Sequence, residues 1–496
     1  MRKLSNLCLM SGCLLAVISL ISPALCAEGQ RVPQISYDTV PRASLTIDAL
    51  GWLAKDGKLL PYTARDFLID RLWTRIEIAD LLRDRRVTNG NNWDGFTDKQ
   101  RQVVLQLASE FRDELRYLDV DYADFTAGLE DATAKSTLVT PWLYGDVRDS
   151  DNTDTTSRGI ASFTALELVG SQTSVGATIS GERRLFQAGG SHSFPVLDRL
   201  SFRGRGKNWD WEVGKFYDWY GEARTGSMWF GDSSPALISA KAARDLRLPL
   251  IGDWHMSFQV GGFHEGGETL YLISKRYEKT LSRKWSFAIT DMAKTTTTPN
   301  PLMLVIPAQL YQSLFLTQID TKWNTVMGLE AGYHIQSKLG AYAQYLIDDM
   351  EDPFDPNPMT PKKTGILVGL RSRSGQPMDA GFRWSAEYSV IDQRTYEATR
   401  PSAPLLSWTQ DGLPLGWPFG ANSKTLALHG EHKFGNGFDL AASYVDSRPK
   451  EGDGKQQVLS ISPTKDFGAD KSIGLLYEHH AGVVGDVFGV RGFVAF

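Results

Sequence analysis

The stretch Asp486-Val-Phe-Gly-Val-Arg-Gly-Phe-Val-Ala-Phe496 ends the sequence on an alternating pattern of side chains. In an extended strand, successive side chains point to opposite faces. The pattern therefore places Phe488, Val490, Val494 and Phe496 on one apolar and aromatic face. Two environments suit such a face, namely the lipid around a membrane barrel or the core of a soluble domain. The remaining sequence has to distinguish these two environments.

The first 27 residues have the composition of an export signal. They begin with basic residues, continue with an apolar run over 14–21 and end on Ser22-Pro-Ala-Leu-Cys-Ala27. This order is typical of a secretory signal peptide that is removed. We therefore expect residues 1–27 to be a signal peptide, with cleavage after Cys26 or Ala27.

The composition excludes several classes of site. The three cysteines, Cys8, Cys13 and Cys26, all lie in the signal region, so we expect no disulfide and no thiolate metal site in the exported chain. The net charge of the chain is −5, whereas a nucleic-acid-binding protein usually carries an excess of basic residues. We expect no nucleic-acid partner, no cofactor and no metal.

The sequence lacks a candidate transmembrane helix after the signal region, where no apolar run reaches about 18 residues. It is nevertheless rich in aromatic residues, with 14 Trp, 17 Tyr and 23 Phe. Alternation in a membrane barrel averages to a neutral hydropathy, so a barrel remains compatible with this composition.

A helical period extends from about Leu45 to Asp124. Apolar residues recur there at spacings of three and four, and Thr97 precedes one run as a candidate N-cap. The members of the three stripes are Leu45, Ala49, Trp52 and Leu53; Phe67, Leu68, Leu72, Ile76, Ala79 and Leu82; and Val103, Leu107, Phe111, Leu115 and Leu118. Such stripes predict mutual packing. We expect residues 28–135 to form an N-terminal helical bundle.

The period changes to two in the remainder of the chain, for which we expect a barrel over residues 136–496. Phe382, Trp384, Ala386, Tyr388 and Val390 alternate with polar residues, as do Trp209, Trp211 and Val213. Aromatic residues are frequent near the predicted strand ends, where amphipathic rings match a membrane interface.

The connections between the predicted strands alternate in kind. The short connections are 170–172, 204–208, 281–284, 336–338 and 434–437, and the long ones are 146–157, 218–235, 294–322, 348–363 and 392–423. Short turns on one rim and long loops on the other are typical of a transmembrane barrel. We predict a transmembrane antiparallel β-barrel of about 18 strands, 16 or 18, with the helical bundle in the periplasm under or in the barrel opening.

A chain that ends on an aromatic strand also resembles outer-membrane β-barrels, where a terminal Phe usually closes the last strand. The resemblance implies that Phe496 acts as an assembly signal. It further implies two partners, the barrel-assembly machinery and the outer-membrane lipid, and it implies a location in the cell outer membrane.

Several segments resemble one family, the capsule-assembly Wzi family. They are Trp211 to Ala236, Leu248 to Trp254, Ala341 to Asp349, Trp384 to Tyr388, Ile47 to Leu53 and Trp73 to Leu82. The sequence departs from the family pattern at Asp218-Trp-Tyr-Gly221, where the family prefers Trp-Gly. The resemblance implies a non-enzymatic lectin that binds capsular polysaccharide or exopolysaccharide and helps to attach or assemble the capsule. The alternative is a diffusion porin, with sugars as one class of solute.

Sugar rings stack on aromatic faces, and their hydroxyls need carboxylate, amide or guanidinium partners. The candidate polysaccharide-binding residues on the long-loop rim are Asp218, Trp219, Tyr220, Arg224, Trp229, Asp348, Asp349, Tyr396, Trp408 and Trp417. Each aromatic residue has an alternative role in loop packing or in an interface girdle. Asp348 and Asp349 have an alternative role as a loop anchor or a solvated pair.

Four charged residues are predicted to face the lumen. They are Arg383, Glu387, Glu431 and Arg491. Such charges set conductance and selectivity in an open pore. The alternative, which we favour, is a structural network of ion pairs.

Overall fold

The computed structural model describes most of the chain after the signal region. The described residues are 36–41, 44–70, 72–129, 136–150, 156–169, 173–186, 190–205, 209–231, 236–248, 252–297, 323–335, 338–348, 363–373, 381–397, 404–410, 413–450, 455–481 and 485–496. The predicted signal peptide and Asp349 lie outside them. Within these ranges, no helix is both long enough and apolar enough to cross a membrane.

Eighteen antiparallel strands form one closed barrel, in which the last strand pairs with the first. The strands are β1 Ser136–Ser150, β2 Thr156–Val169, β3 Thr173–Phe186, β4 Gly190–Arg205, β5 Asp210–Phe216, β6 Leu237–Leu248, β7 Gly252–Glu265, β8 Glu268–Thr280, β9 Trp285–Thr295, β10 Trp323–Ile335, β11 Leu339–Asp348, β12 Thr364–Arg373, β13 Phe382–Ile391, β14 Ser423–Phe434, β15 Phe438–Pro449, β16 Gln456–Asp466, β17 Lys471–Ala481 and β18 Gly485–Ala495. The predicted barrel and its strand number are confirmed.

The outward face of the barrel is apolar. Phe488 and Tyr388 are 58% and 46% exposed, whereas Arg383 and Glu387 on the opposite face of β13 are buried. A soluble protein rarely exposes so many large apolar side chains, but a membrane barrel presents them to lipid. Exposure therefore follows the alternation that the sequence predicted.

The two rims of the barrel differ in their connections. The helix rim holds the start of β1, the end of β18 and short turns such as 281–284 and 467–470. The opposite rim, called the loop rim, holds the long connections after β5, β9, β11 and β13. Some connections on the loop rim depart from the predicted pattern, because three residues separate β3 from β4 and β17 from β18, and only Gly266 and Gly267 join β7 to β8. Both residues have positive φ, as a tight hairpin turn requires.

In the described part of the chain before the barrel there are five short helices. They are α1 Leu45–Lys55, α2 Arg75–Thr88, α3 Asp98–Glu110, α4 Arg112–Tyr117 and α5 Tyr122–Thr126, and a π-helical turn covers Asp66–Asp70. The predicted N-cap is present, since the Thr97 hydroxyl accepts a hydrogen bond from the Gln100 amide at 3.3 Å. The Gln100 side chain returns a bond from the Thr97 amide, which completes a capping box. The helical part of the prediction is therefore confirmed.

The helical bundle packs inside the helix rim. Its buried core includes inward side chains of the first two strands and of the last strand, among them Leu138, Leu166 and Phe493. Polar contacts also join the two parts, because the Gln106 amide donates to the Thr173 carbonyl at 2.8 Å and Arg203 pairs with Glu110 at 2.7 Å. The bundle therefore fills the lumen at this end of the barrel.

Candidate functional site

Two connections of the loop rim fold back into the lumen. The first is 217–231, between β5 and β6, and the second comprises 392–397, 404–410 and 413–422, between β13 and β14. We call these residues the loop plug. Their buried apolar side chains pack on inward side chains of β6 to β13. The plug members of this core are Tyr220, Ala223, Met228, Trp229, Phe230, Tyr396, Leu406, Trp408, Leu415 and Trp417.

All but one of the aromatic residues proposed from the sequence lie within this core, and the exception, Trp219, is buried outside it. Trp219, Trp229, Trp408 and Trp417 are at most 3% exposed, and Tyr220 is fully buried. An aromatic side chain buries about 150–250 Å², so exposing one ring costs roughly 4–6 kcal/mol at about 25 cal/mol per Å². These residues therefore have the loop-packing role in the observed conformation. Their role in polysaccharide binding stays a prediction.

Tyr396 joins the two parts of the loop plug. Its hydroxyl donates to the Met228 carbonyl at 2.8 Å, and its backbone amide donates to Asp348 at 2.6 Å. Burial raises the pKa of Tyr396, so the hydroxyl remains a neutral donor. Its φ of 73° is unusual for a residue with a side chain and is fixed here by these contacts. Asp348 is thus a loop anchor, one of the two roles considered for it.

Asp392 holds the base of the second loop. Its carboxylate accepts bonds from the Thr364 hydroxyl at 2.6 Å and from the Lys450 ammonium. Burial raises the pKa of Asp392, but the bonds from Lys450 and Thr364 outweigh that effect and lower it. The carboxylate therefore stays ionised and keeps the loop attached to β12.

Asp218 and Arg224 hold the first loop to the barrel wall. The Lys241 ammonium donates to both Asp218 oxygens, at 2.8 and 2.9 Å. Arg224 donates to the Glu431 carboxylate at 3.0 Å. Both predicted site residues therefore have structural partners on inward-facing strand positions.

Three of the predicted lumen charges belong to the same network. Glu387 accepts bonds from the backbone amides of Arg224 and Thr225, at 2.5 and 2.9 Å. Arg383 contacts Glu431 at 3.3 Å and Glu77 of α2 at 3.2 Å. The network therefore joins the loop plug, the barrel wall and the bundle. These contacts support the structural alternative, and a role in selectivity stays a prediction.

The last two predicted residues lie near the helix rim. Arg491 is on β18 opposite Asp146 in the strand register, on the face that carries the buried Phe493. Phe496 is 59% exposed, and its amide donates to the Pro141 carbonyl at 2.9 Å. The assembly role of Phe496 stays a prediction.

An extended segment, residues 36–41, runs between the bundle and the loop plug, and we call it the strap. The Thr39 amide donates to the Gly221 carbonyl at 2.9 Å, and the Gly221 amide donates to Asp38 at 2.6 Å. On the other side, Thr39 pairs with Thr74 of the bundle and Val40 pairs with Trp73. The strap thus connects the two structures that fill the lumen.

The contact between the strap and the loop plug requires a glycine at position 221. Gly221 has a φ of 91°, and a Cβ there would lie 2.0 Å from the Gln344 amide nitrogen and 2.6 Å from Glu330. Because both groups are buried, we expect the added methyl of Gly221→Ala to displace the loop. The strained backbone alone should lower the free energy of unfolding by about 1–3 kcal/mol. Chemical denaturation followed by tryptophan fluorescence measures the loss.

Gly267→Ala is the matched control for Gly221→Ala. Gly267 has a similar φ of 82°, but no atom lies within 4 Å of the Cβ position. This variant carries the backbone strain without the collision. Equal losses for the two alanine variants would show that the packing around Gly221 contributes nothing.

A polar cavity of about 160 Å³ lies between the strap, the bundle and the inner wall of β4 to β8. Its lining includes Asp38, Glu110, Arg203, Trp219 and Lys241. A cavity of this size and polarity accommodates several water molecules.

Four indole N–H groups of the loop plug have no acceptor among the described residues. They belong to Trp219, Trp229, Trp408 and Trp417. A buried donor without an acceptor costs about 1–3 kcal/mol, so water or a polar ligand is the expected acceptor. Polyhydroxylated ligands supply such acceptors.

The accessible part of the loop plug contains side chains that the sequence did not identify. Gln393, Arg394 and Glu397 are exposed, and Phe419 is half-buried with its ring 5.8 Å from that of Trp417. A guanidinium, an amide, a carboxylate and an aromatic edge are the groups that a sugar polymer needs. The turn Pro418-Phe-Gly420 was the available signal for Phe419, whereas no local pattern distinguished Arg394.

No family model matches the chain, and neither does any curated protein sequence. Among solved structures, the chain is similar to Wzi from Escherichia coli, described as an outer-membrane protein involved in group 1 capsule assembly and as a carbohydrate-binding β-barrel. The match has a TM-score of 0.55 and 13% identity, and it covers 92% of this chain and 99% of that one.

Two Pseudomonas aeruginosa barrels, OccD3 (OpdP) and OccK5 (OpdH), match with a TM-score of 0.42 and 10% identity each. Each match covers 73% of this chain, with 91% of OccD3 and 97% of OccK5. The resemblance that the sequence suggested is confirmed at the level of the fold, and the chain has the barrel fold of Wzi.

Proposed function

We propose that the protein is a non-enzymatic barrel of the outer membrane that binds capsular polysaccharide or exopolysaccharide at the cell surface and helps to attach or assemble it. The helix rim faces the periplasm in this proposal, and the loop rim faces outward. The fold shared with a carbohydrate-binding barrel supports it.

The observation that carries the proposal is the filled lumen. The bundle core occupies the helix rim, the loop plug occupies the other half, and the strap joins them. An 18-stranded barrel is wide enough for an aqueous channel when its interior is empty. In the described part of this barrel, buried apolar and charged side chains occupy that space, which supports binding at the surface over diffusion through the centre.

The alternative, a diffusion porin, requires a continuous aqueous path. The two proposals therefore predict opposite conductances in planar lipid bilayers. Ion pairs such as Arg383 with Glu77 would have to separate before solute could pass. Separation of a buried pair costs about 3–5 kcal/mol, so this path is unfavourable at rest.

Deletion of the gene in a strain that makes capsule tests the proposed role directly. We expect less cell-bound polysaccharide and more released polysaccharide, with the total unchanged, because retention is lost while synthesis continues. Unchanged retention in the deletion strain would contradict the proposal. Complementation with the wild-type gene controls for effects on neighbouring genes.

Substitutions in the accessible part of the loop plug test the proposed surface. We expect Phe419→Ala to weaken polysaccharide binding by about 1 kcal/mol, or about fivefold, since the ring loses its stacking contact. Arg394→Ala removes a donor that is not needed for folding, because its side chain is exposed. Binding of purified polysaccharide to the purified protein measures both effects.

Arg116→Ala is the matched control for Arg394→Ala, because Arg116 is 56% exposed on the bundle, far from the loop plug. We expect it to bind polysaccharide as the wild type does. Equal affinities for all four proteins would place the binding surface elsewhere.

A further inference from the structure

Three basic residues form a row on the lipid-facing side of the loop rim. Lys424 is the second residue of β14, and it lies directly opposite Arg448 of β15 in the strand register. Lys455 comes just before Gln456, which pairs with Ser447, so Lys455 lies beside Arg448. All three side chains are exposed, Arg448 by 55%.

The row faces outward and not into the lumen. Inward positions on these strands, such as Thr425 and Ser447, are buried and bonded to each other at 3.0 Å. Lys424 and Arg448 have the opposite parity, as do the exposed Leu426 and Leu428 below Lys424. The row therefore belongs to the surface that lipid surrounds.

This arrangement is unfavourable without a counter-anion. Side chains directly opposite each other on one face have Cβ atoms about 4.5–5.5 Å apart, and like charges there repel. One carboxylate offsets part of the charge, since Asp446 forms two bonds to the Arg448 guanidinium, at 2.9 and 2.5 Å. Asp446 also interacts with Lys455. Among the residues that the structure describes, three positive charges here face a single carboxylate.

The surface below the row is apolar. Leu426, Leu428, Leu459 and Ile461 are 36–41% exposed on the same face. Tyr444 lies among them, and its hydroxyl accepts a bond from Gln457 at 2.7 Å. Two residues along a strand span about 7 Å, so the basic row lies about one headgroup above the acyl region. Amphipathic Tyr residues mark this interface.

We propose that this row, Lys424, Arg448 and Lys455, binds the phosphate groups of an acylated glycolipid in the outer leaflet, while the chains of the lipid lie on Leu426, Leu428 and Leu459. The row spans two interstrand spacings, about 10 Å, which allows contact with more than one phosphate. Guanidinium and ammonium groups together form charge-assisted bonds to phosphate oxygens. An anionic polysaccharide would fit the charges but not the apolar surface, so the amphipathic lipid is favoured.

The test compares lipid binding by the purified full chain and by the triple variant Lys424→Ala, Arg448→Ala, Lys455→Ala. The probes are bisphosphorylated lipid A and the same lipid without its phosphates, and native mass spectrometry counts bound lipid. We expect about a fivefold loss of affinity for each basic residue removed, hence about a hundredfold for the triple variant. Only the phosphorylated probe should show this loss.

Lys471→Ala is the matched control, because Lys471 is 59% exposed and faces lipid from the helix rim, opposite Val494. Thermal unfolding without lipid checks that every variant is folded, and the triple variant should be as stable as the wild type or more stable. Equal affinities for the two probes, wild-type affinity in the triple variant or an equal loss in Lys471→Ala would each overturn the proposal.

Polysaccharide binding measured on the same variants separates this inference from the proposed function, on whose outer-membrane placement it rests. The triple variant should retain polysaccharide as the wild type does. Competition between soluble polysaccharide and lipid A for the row would assign it to the polymer and overturn the lipid proposal. Failure of polysaccharide binding in all variants, with lipid binding intact, would refute only the proposed function.

Discussion

In planar lipid bilayers, the wild-type protein is expected to show no steady open-channel current, whereas a variant without both lumen-filling structures is expected to conduct like an open barrel. The variant lacks residues 36–129 and has residues 218–231 and 393–421 each replaced by a short Gly-Ser linker. The reason is geometric, because 16- to 18-stranded barrels with empty interiors contain an aqueous channel. The bundle and the loop plug occupy that space here.

The two single deletions are the controls for this measurement. Each leaves one barrier in place, so each should conduct much less than the double deletion. Circular dichroism and protease resistance establish that the shortened barrels have formed. A steady wild-type current equal to that of the double deletion would refute the closed lumen and favour the porin alternative.

Replacement of Arg276 is expected to be the most destabilising single substitution in the lumen. Arg276 is 1% exposed on β8 and contacts Asp38, Glu278 and Glu330 at 2.7, 3.0 and 3.1 Å. Arg276→Met would leave these buried carboxylates without their shared cation. Removal of one partner of a buried ionic network costs about 3–5 kcal/mol. Denaturant unfolding of the purified protein measures this loss.

Two further variants make the result specific. Arg283→Met removes an exposed pair with Asp119 on the helix rim, which should cost less than about 1 kcal/mol. Glu330→Gln in the Arg276→Met background removes one orphaned charge and should restore part of the stability. A loss for Arg276→Met as small as that for Arg283→Met would show that the strap is not held by this network.

The barrel was predictable because strands such as β13 alternate between apolar and polar side chains. In β13, the aromatic Phe382 and Tyr388 face outward, toward lipid in a membrane barrel. The charged Arg383 and Glu387 face the lumen. The helices were predictable for a similar reason, but their breaks were not. The stripe that includes Phe67 and Ile76 divides into a π-helical turn and α2.

The loop plug was not predictable from local pattern. Trp229 and Trp417 have side chains that suit an interface or a ligand as well as a core. Their burial depends on loops that return into the lumen, and residues such as Tyr342 and Leu346 on distant strands complete the core. Position along the chain does not encode such contacts, so the sequence indicated that these two residues lie in loops but not what surrounds them.

The helical bundle also lies across the seam where the barrel closes. Leu138 of β1 and Phe493 of β18 enter the same bundle core, and the Lys55 ammonium donates to the Phe496 carbonyl at 2.5 Å. A barrel whose first and last strands have not yet paired offers the helices only part of this surface. Closure of the seam therefore completes the surface on which the helices dock, and a molecule with an open seam leaves part of the apolar bundle core exposed.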